Sequence, residues 1–246
     1  MHARFYVPDV VSPGERIDLP DDEASHATRV LRLGTGAAVR IFNGLGEEFE
    51  ATLVEATRDR VRAEVGGRVE PVPEPRLGVT LVQAVPKGDR MDDVVRDAVM
   101  LGVSAIQPLV SWRCETTLAA LERGRRRDRW QRISIASAKQ CGRAVVPPVR
   151  EPVGFERYLE AGTDAGMGLM FVEPGAASST LTLSQLPEHP PAEVAVLVGP
   201  EGGWSPREVS EAESRCRLVT IGGRTFRADV AAIVVVSALF ARWGEF

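Results

Sequence analysis

Gly199-Pro200-Glu201-Gly202-Gly203-Trp204-Ser205-Pro206 is the stretch around which the chain is organised. The apolar run Val194-Ala195-Val196-Leu197-Val198 leads into it and predicts a buried strand. The residues at its far end predict a helix: Ser205 suits the N-cap, Pro206 the first helical position, and Glu208 completes a capping box with Ser205. A glycine-rich turn therefore lies between the carboxyl end of a strand and the start of a helix. In open α/β sheets this is where small ligands bind. Glycine lets backbone groups approach a ligand without a Cβ in the way. Read alone, a Gly-Gly of this kind is first of all a tight turn that needs positive φ.

The texture around the turn is that of an α/β domain. Leu77 to Val85 is a nearly continuous apolar run, as in a strand covered on both faces. Met91, Val94, Val95, Ala98 and Val99 recur at helical spacing, and Gly102 stops that helix. Val103–Val110, Gly168–Val172 and Leu218–Ile221 read as further strands. Glu122 to Cys141 reads as one long helix and Asp229 to Arg242 as the last. Strands alternating with helices predict a parallel sheet with helices on both sides. Residues 174 to 192, rich in Pro, Ser and Thr, predict a surface loop.

Residues 1 to 70 differ. Glu48-Phe49-Glu50-Ala51-Thr52-Leu53-Val54 and Arg60 to Val65 alternate polar with apolar residues, and Ala38 to Phe42 precedes the hairpin-type Asn43-Gly44-Leu45-Gly46. One short helix is predicted over Asp22–Leu33. Together these predict a small barrel-like β module. Glu70-Pro71-Val72-Pro73-Glu74-Pro75-Arg76 has proline at every second position, an extended linker. The expected domains are thus 1–70 and 77–246, with 71–76 between them.

With 246 residues, 44% hydrophobic and 26% charged, the chain has the makeup of a soluble globular protein. No apolar stretch approaches the ~20 residues of a membrane span, and the first residues lack a signal peptide's apolar core. The three cysteines lie far apart, as expected for reduced thiols in the cytoplasm, and the three histidines form no metal-binding pair. A net charge of −4 argues against coating nucleic acid nonspecifically. Yet only Lys87 and Lys139 are lysines, and the many arginines suit bidentate contact with phosphates and bases.

No G-x-G-x-x-G follows the first strand of the α/β part, and no P-loop or G-x-S-x-G elbow occurs, so the usual dinucleotide, phosphate and hydrolase readings are unsupported. Pro86 to Arg90, Glu173-Pro174, Gly199 to Gly203 and Gly222 to Arg227 stand at ends of predicted strands. The last two, both glycine-rich, can together form a backbone-lined pocket, with Arg224 and Arg227 facing one opening. Elsewhere, His26, Arg29 and Arg32 fall on one face of the short helix. Six arginines crowd the start of the long helix; most are accounted for by a solvated surface, with a phosphate-contacting patch as the sharper alternative.

Lys87-Gly88-Asp89-Arg90-Met91, Leu101-Gly102-Val103, Gln140-Cys141-Gly142-Arg143 with Pro147-Pro148, Gly199 to Gly203, and Arg224-x-x-Arg227 occur in that order. His26 with Val30-Leu31-Arg32 and Asn43-Gly44-x-Gly46 precede them. In this order the motifs resemble those of RsmE-type enzymes of the SPOUT superfamily, methyltransferases that modify N3 of a uridine in 16S ribosomal RNA. The resemblance spans nearly the whole chain. It implies a PUA-like N-terminal domain that docks RNA, and a SPOUT-type parallel sheet with a C-terminal trefoil knot. It further implies a homodimer acting on 16S ribosomal RNA or the small ribosomal subunit; a metal is not expected, given the unpaired histidines and scattered cysteines.

The resemblance implies S-adenosylmethionine as cofactor, held by Val198, Gly199, Pro200, Glu201, Gly202 and Gly203 from one loop. Ile221, Gly222, Arg224, Thr225 and Phe226 would hold it from the other. RNA would be met by His26, Arg29, Arg32, Lys87, Gln140, Arg143 and Arg227. The expected catalytic residues are Arg227, Glu201 and Asp229. Arg227 cannot be a base, because its guanidinium stays charged; it suits stabilisation of charge developing on uracil oxygens. Glu201, Asp229 and His26 remain alternative proton acceptors. One motif departs: the family's R-I-L-R-x-E-T-A is here Arg224-Thr225-Phe226-Arg227-Ala228-Asp229-Val230-Ala231. That change supports one alternative, an inactive RNA-binding assembly factor; a methyltransferase for another RNA site is a second alternative.

Overall fold

A computed structural model describes residues 2–9, 12–58, 60–162 and 166–246. The chain divides into two compact units, Met1–Glu74 with Ile135–Val146, and Pro75–Ser134 with Pro147–Phe246.

The first unit is built on β1 (Ala3–Tyr6), β2 (Arg16–Asp18), β3 (Ala38–Phe42), β4 (Glu48–Ala56) and β5 (Val61–Val69), in the order β1-β3-β4-β5-β2. Only β1 and β3 run parallel. Alternation along β4 and β5 buries Phe49, Ala51 and Leu53 against Val61, Ala63 and Val65, and Phe5 and Ile41 complete this core.

The helix predicted over Asp22–Leu33 is shorter and of two kinds. A single α-helical turn, α1 (Asp21–Ser25), widens into a π-helix over His26–Val30, where Leu31 N–H donates to the His26 carbonyl at 3.0 Å. Arg32 then takes φ +53°, ending the helix. His26, Arg29 and Arg32 therefore do not follow the common α-helical face expected from their spacing.

Residues 135–146 join this unit for reasons of charge. Arg4 sends Nε and Nη2 to the Glu48 carboxylate at 3.0 and 2.9 Å, and caps the carbonyls of Ala138, Lys139 and Arg143 at 2.9–3.0 Å. A cation over a helix's last carbonyls is favourable on both hydrogen-bond and dipole grounds. Lys139 Nζ meets Glu23 at 2.6–2.8 Å; burial nonetheless holds the Glu23 carboxyl above its ordinary value. Arg143 Nε lies 3.0 Å from Glu74 Oε2.

The second unit carries β6 (Gly78–Ala84), β7 (Ala105–Val110), β8 (Val153–Gly154), β9 (Met167–Phe171), β10 (Glu193–Val198) and β11 (Arg217–Val219). They form one parallel sheet, ordered β11-β9-β10-β6-β7-β8. Observed strand ends differ from the predicted ones by one or two residues, as strand ends fray.

On one face, Val82, Leu109, Met170 and Leu197 pack with Phe155, Trp204 and Val209. In the same unit, α2 (Arg90–Leu101) packs on the C-terminal helix. The expected stop at Gly102 is a left-handed cap with φ +113°, and a Cβ there would lie 2.6 Å from Pro75. The long helix expected over Glu122–Cys141 is instead α3 (Leu118–Arg123) and α4 (Arg126–Cys141). Gly124 and Arg125, the latter at φ +45°, break it. The remaining helices are α5 (Phe155–Ala161), α6 (Pro206–Ala212) and α7 (Ala228–Trp243). Among the described residues no helix is long and apolar enough to cross a membrane.

Candidate active site

The carboxyl ends of β11, β9 and β10 finish level with one another. Phe171 stands opposite Val219 on one side and Val198 on the other. The segments that leave these strands line an open cleft. Its position at the carboxyl edge of a parallel sheet is that of ligand sites in open α/β folds.

One wall is the turn after β10. Gly203 N–H closes it on the Pro200 carbonyl at 2.9 Å with φ +66°, a conformation that favours glycine. A Cβ on Gly203 would stand 3.3 Å from the Glu173 carboxylate. Trp204 turns inward, donates Nε1–H to the Phe171 carbonyl at 2.9 Å, and tilts against Phe155 at 5.5 Å between centroids. It thereby ties this turn to the end of β9.

The capping box is formed: Ser205 Oγ accepts from Glu208 N–H at 3.3 Å, and Glu208 Oε2 accepts from Ser205 N–H at 2.8 Å. Such a cap contributes roughly 0.5–2 kcal/mol to the helix. The same buried Glu208 receives Trp112 N–H on its other oxygen at 2.8 Å, joining the loop after β7 to the start of α6.

The opposite wall is the segment between β11 and α7. Ile221, Arg224 and Phe226 line the cleft, with Ala228, Ala231 and Val235 of α7 below them. Val198, Gly199, Pro200 and Gly203 line it from the first loop, so the two glycine-rich segments do meet. Gly202, Gly222 and Thr225 belong to the loops but lie off the lining. Phe171, Val172, Glu173 and Pro174 complete it. Sequence marked Glu173-Pro174 as a strand end without assigning it to the site; Trp204, Ala228, Ala231 and Val235 were not assigned to it either.

Glu201 faces another way. Its carboxylate accepts Lys87 N–H at 3.1 Å and pairs with Arg90 at 2.9 Å. Arg113 Nη1 donates to the Gly202 carbonyl at 2.7 Å. The turn is thus anchored to the loops after β6 and β7. Lys87 Nζ itself pairs with Glu115 at 2.8 Å, which raises its pKa through that hydrogen bond and charge.

Arg227 is exposed at the N-cap of α7 and folds onto Asp229, Nε to Oδ1 at 3.2 Å and Nη2 to Oδ2 at 2.5 Å. Burial pushes the Asp229 carboxyl upward, but the Arg227 contact and the N–H groups of Asp229 and Val230 outweigh it and hold it below the usual range. The same contact raises the Arg227 pKa, with a smaller contribution from the charge of Glu201. The shorter carboxylate of aspartate still reaches the guanidinium through both oxygens.

The expected RNA-contacting residues fall in both units. Arg29 and Arg32 border a shallow groove of the first unit with Arg58, while the His26 ring stands edge-on to Phe5 at 6.4 Å. Gln140 is exposed on α4. Arg143 is 5% exposed, and its guanidinium meets Glu74. Among the described residues no group of three or more potential metal-binding side chains occurs.

Comparison with known proteins bears on this site. Residues 73–240 match the RNA methyltransferase domain family, and residues 19–66 match the PUA domain of RNA methyltransferases. The chain is 31% identical to the ribosomal RNA small subunit methyltransferase E of Synechocystis, over 94% of this chain and 76% of that protein. The crystal structure of the ribosomal RNA small subunit methyltransferase E of Neisseria gonorrhoeae, bound to S-adenosyl methionine, is 33% identical with a TM-score of 0.89, covering 99% of this chain and 98% of that one. A Legionella pneumophila methyltransferase in complex with the bound cofactor SAM is 30% identical with a TM-score of 0.90, covering 98% of each chain. The likeness extends through both units, and the chain belongs to the ribosomal RNA small subunit methyltransferase E family.

Proposed function

We propose that this protein transfers the methyl group of S-adenosylmethionine to N3 of a uridine in 16S ribosomal RNA. The observation that carries the reading is the cleft at the level ends of β11, β9 and β10, walled by two glycine-rich segments in a chain of this family. Its residues fit the cofactor. Phe171, Val198, Ile221 and Phe226 offer an apolar bed for a purine, and close backbone approach depends on glycine at 199 and 203, where a Cβ would meet Trp204 at 3.2 Å and Glu173 at 3.3 Å. The backbones of Val198–Gly203 and Ile221–Phe226 would hold it. When bound, the cofactor supplies an electrophilic methyl group on a positively charged sulfur.

The chain's own contribution is placement and charge. Arg227, always protonated, steadies negative charge on the uracil oxygens as the N3 proton passes to solvent water. Asp229 is a positioning residue that fixes the guanidinium. Glu201, committed to Arg90 and Lys87 N–H, holds the turn in place. Asp229 preserves the pairing with Arg227, so the departure from the family motif favours no inactive form. In the first unit Arg29, Arg32 and His26, with Gln140 of α4, would meet the RNA; Lys87 would do so in the second.

The trefoil knot and the homodimer implied by the family resemblance belong to the same proposal, as does a cytoplasmic location. In support of a second copy, α7 is predominantly apolar and leaves Val230, Ile233 and Val234 partly exposed. Calorimetric titration of the isolated protein with S-adenosylmethionine tests the reading: saturable binding is expected, and no heat at millimolar cofactor would refute it.

A further inference from the structure

The loop after β7 takes no part in the proposed hold on the cofactor, yet it presents the most exposed large apolar side chain among the described residues. Trp112 is 83% exposed. Solitary exposure of an indole leaves a large apolar surface in water.

The base of this ring is fixed. Trp112 N–H donates to Glu208 at 2.8 Å, and Glu208 is itself buried and held by Ser205 N–H at 2.8 Å. The next residue, Arg113, reaches the Gly202 carbonyl at 2.7 Å. Glu115 pairs with Lys87 at 2.8 Å. The loop is therefore pinned to both the β6 and β10 loops, beside the Gly199–Gly203 wall of the cleft. Ordering an indole carried on such a base costs only its two side-chain torsions.

The neighbouring groove decides what the ring is suited to meet. Val110, Phe155 and Pro206 make it apolar, and its cation Arg207 is already spent on Glu211 at 2.7 Å and Glu156 at 3.4 Å. With Glu208 also present, the groove has no surplus positive charge to draw a phosphate. The flat face of the indole is left as its binding feature.

Resting on the function proposed above, we infer that Trp112 stacks on an unpaired base of the RNA substrate next to the cofactor cleft. N3 of uridine lies on its pairing edge, so the target must be unpaired to react, and its strand needs a replacement for lost stacking. Aromatic platforms supply this without reading sequence.

Fluorescence isolates this residue. Of the four tryptophans, Trp130, Trp204 and Trp243 are 2%, 7% and 8% exposed, so acrylamide quenching reports chiefly on Trp112. The probe is small-subunit ribosomal RNA from cells lacking the enzyme, offered free and within assembled subunits. RNA is expected to shield or quench the Trp112 emission, a change absent in Trp112→Phe. Trp112→Ala is expected to raise KM for RNA about tenfold, with kcat and cofactor affinity nearly unchanged, and Trp112→Phe to restore most of the loss. Three results would overturn the inference: emission indifferent to both forms of RNA, an unchanged KM in Trp112→Ala, or an indole already inaccessible to acrylamide without RNA because a second copy covers it. Absence of methylation by the unaltered protein would count against the proposed function instead, and the fluorescence would still decide on stacking.

Discussion

Replacing glycine by alanine at three places around the cleft separates backbone strain from crowding. Gly203 combines φ +66° with a Cβ position 3.3 Å from the Glu173 carboxylate. Gly222 has φ +61° but open space, and Gly223 has neither constraint. Forcing a residue with a Cβ into the left-handed region costs about 1–2 kcal/mol. A contact near 3.3 Å with a carboxylate adds to this unless Glu173 moves. Gly203→Ala should thus lose about 2–3 kcal/mol and Gly222→Ala about 1–2 kcal/mol. Gly223→Ala should be neutral or gain up to about 1 kcal/mol by restricting the unfolded chain. All four tryptophans lie in the second unit, so the urea midpoint followed by tryptophan fluorescence reads the relevant transition. Calorimetry should place the loss of cofactor affinity in the same order. Equal midpoints for Gly203→Ala and Gly223→Ala would refute the conformation described for the turn.

Other outcomes rest on the charged groups and a buried thiol. Arg227→Ala should lower kcat about a hundredfold or more while cofactor binding persists, and full turnover would remove Arg227 from the chemistry. The Asp229 carboxyl is held below its unfolded value of about 3.9, so its pairing with Arg227 is complete above that pH and is lost as pH falls through the lower folded value. A pH–stability comparison of the unaltered protein with Asp229→Asn should accordingly show a constant difference from neutral pH to about 5, shrinking only in stronger acid; a difference that closes near pH 6 would contradict this. Burial pushes the Cys216 thiol up to about 11. At pH 8 only about one such thiol in a thousand is ionised, so Cys216 should resist alkylation in the folded protein and react on unfolding, as read by peptide mass spectrometry.

Local rules carried the parts of the fold that depend on neighbours in sequence. Ser205, Pro206 and Glu208 define the start of α6 by their own hydrogen-bonding capacities, and Gly102 ends α2 because a left-handed cap excludes a Cβ there. The meeting of the two glycine-rich segments was legible from their places at strand ends. Long-range partners were not. Nothing local to residues 135–146 announces that Arg4 will cap their carbonyls or that Glu23 will receive Lys139. For the same reason the contact of Arg143 with Glu74 was not legible. The π-helix at His26–Val30 depends on packing that periodicity does not encode. Gly124, by contrast, was a visible helix breaker whose signal the arginine-rich pattern around it obscured. Phe171 and Trp204 entered the site only through the register of β9 with β10.

The central claim is that this chain methylates N3 of a uridine in 16S ribosomal RNA. Mass spectrometry of nucleosides and oligonucleotides from the small-subunit RNA of a strain lacking the gene tests activity and target together. The account predicts that one 3-methyluridine disappears and is restored by the intact gene but not by Arg227→Ala; an unchanged 3-methyluridine content in the deletion strain would contradict it.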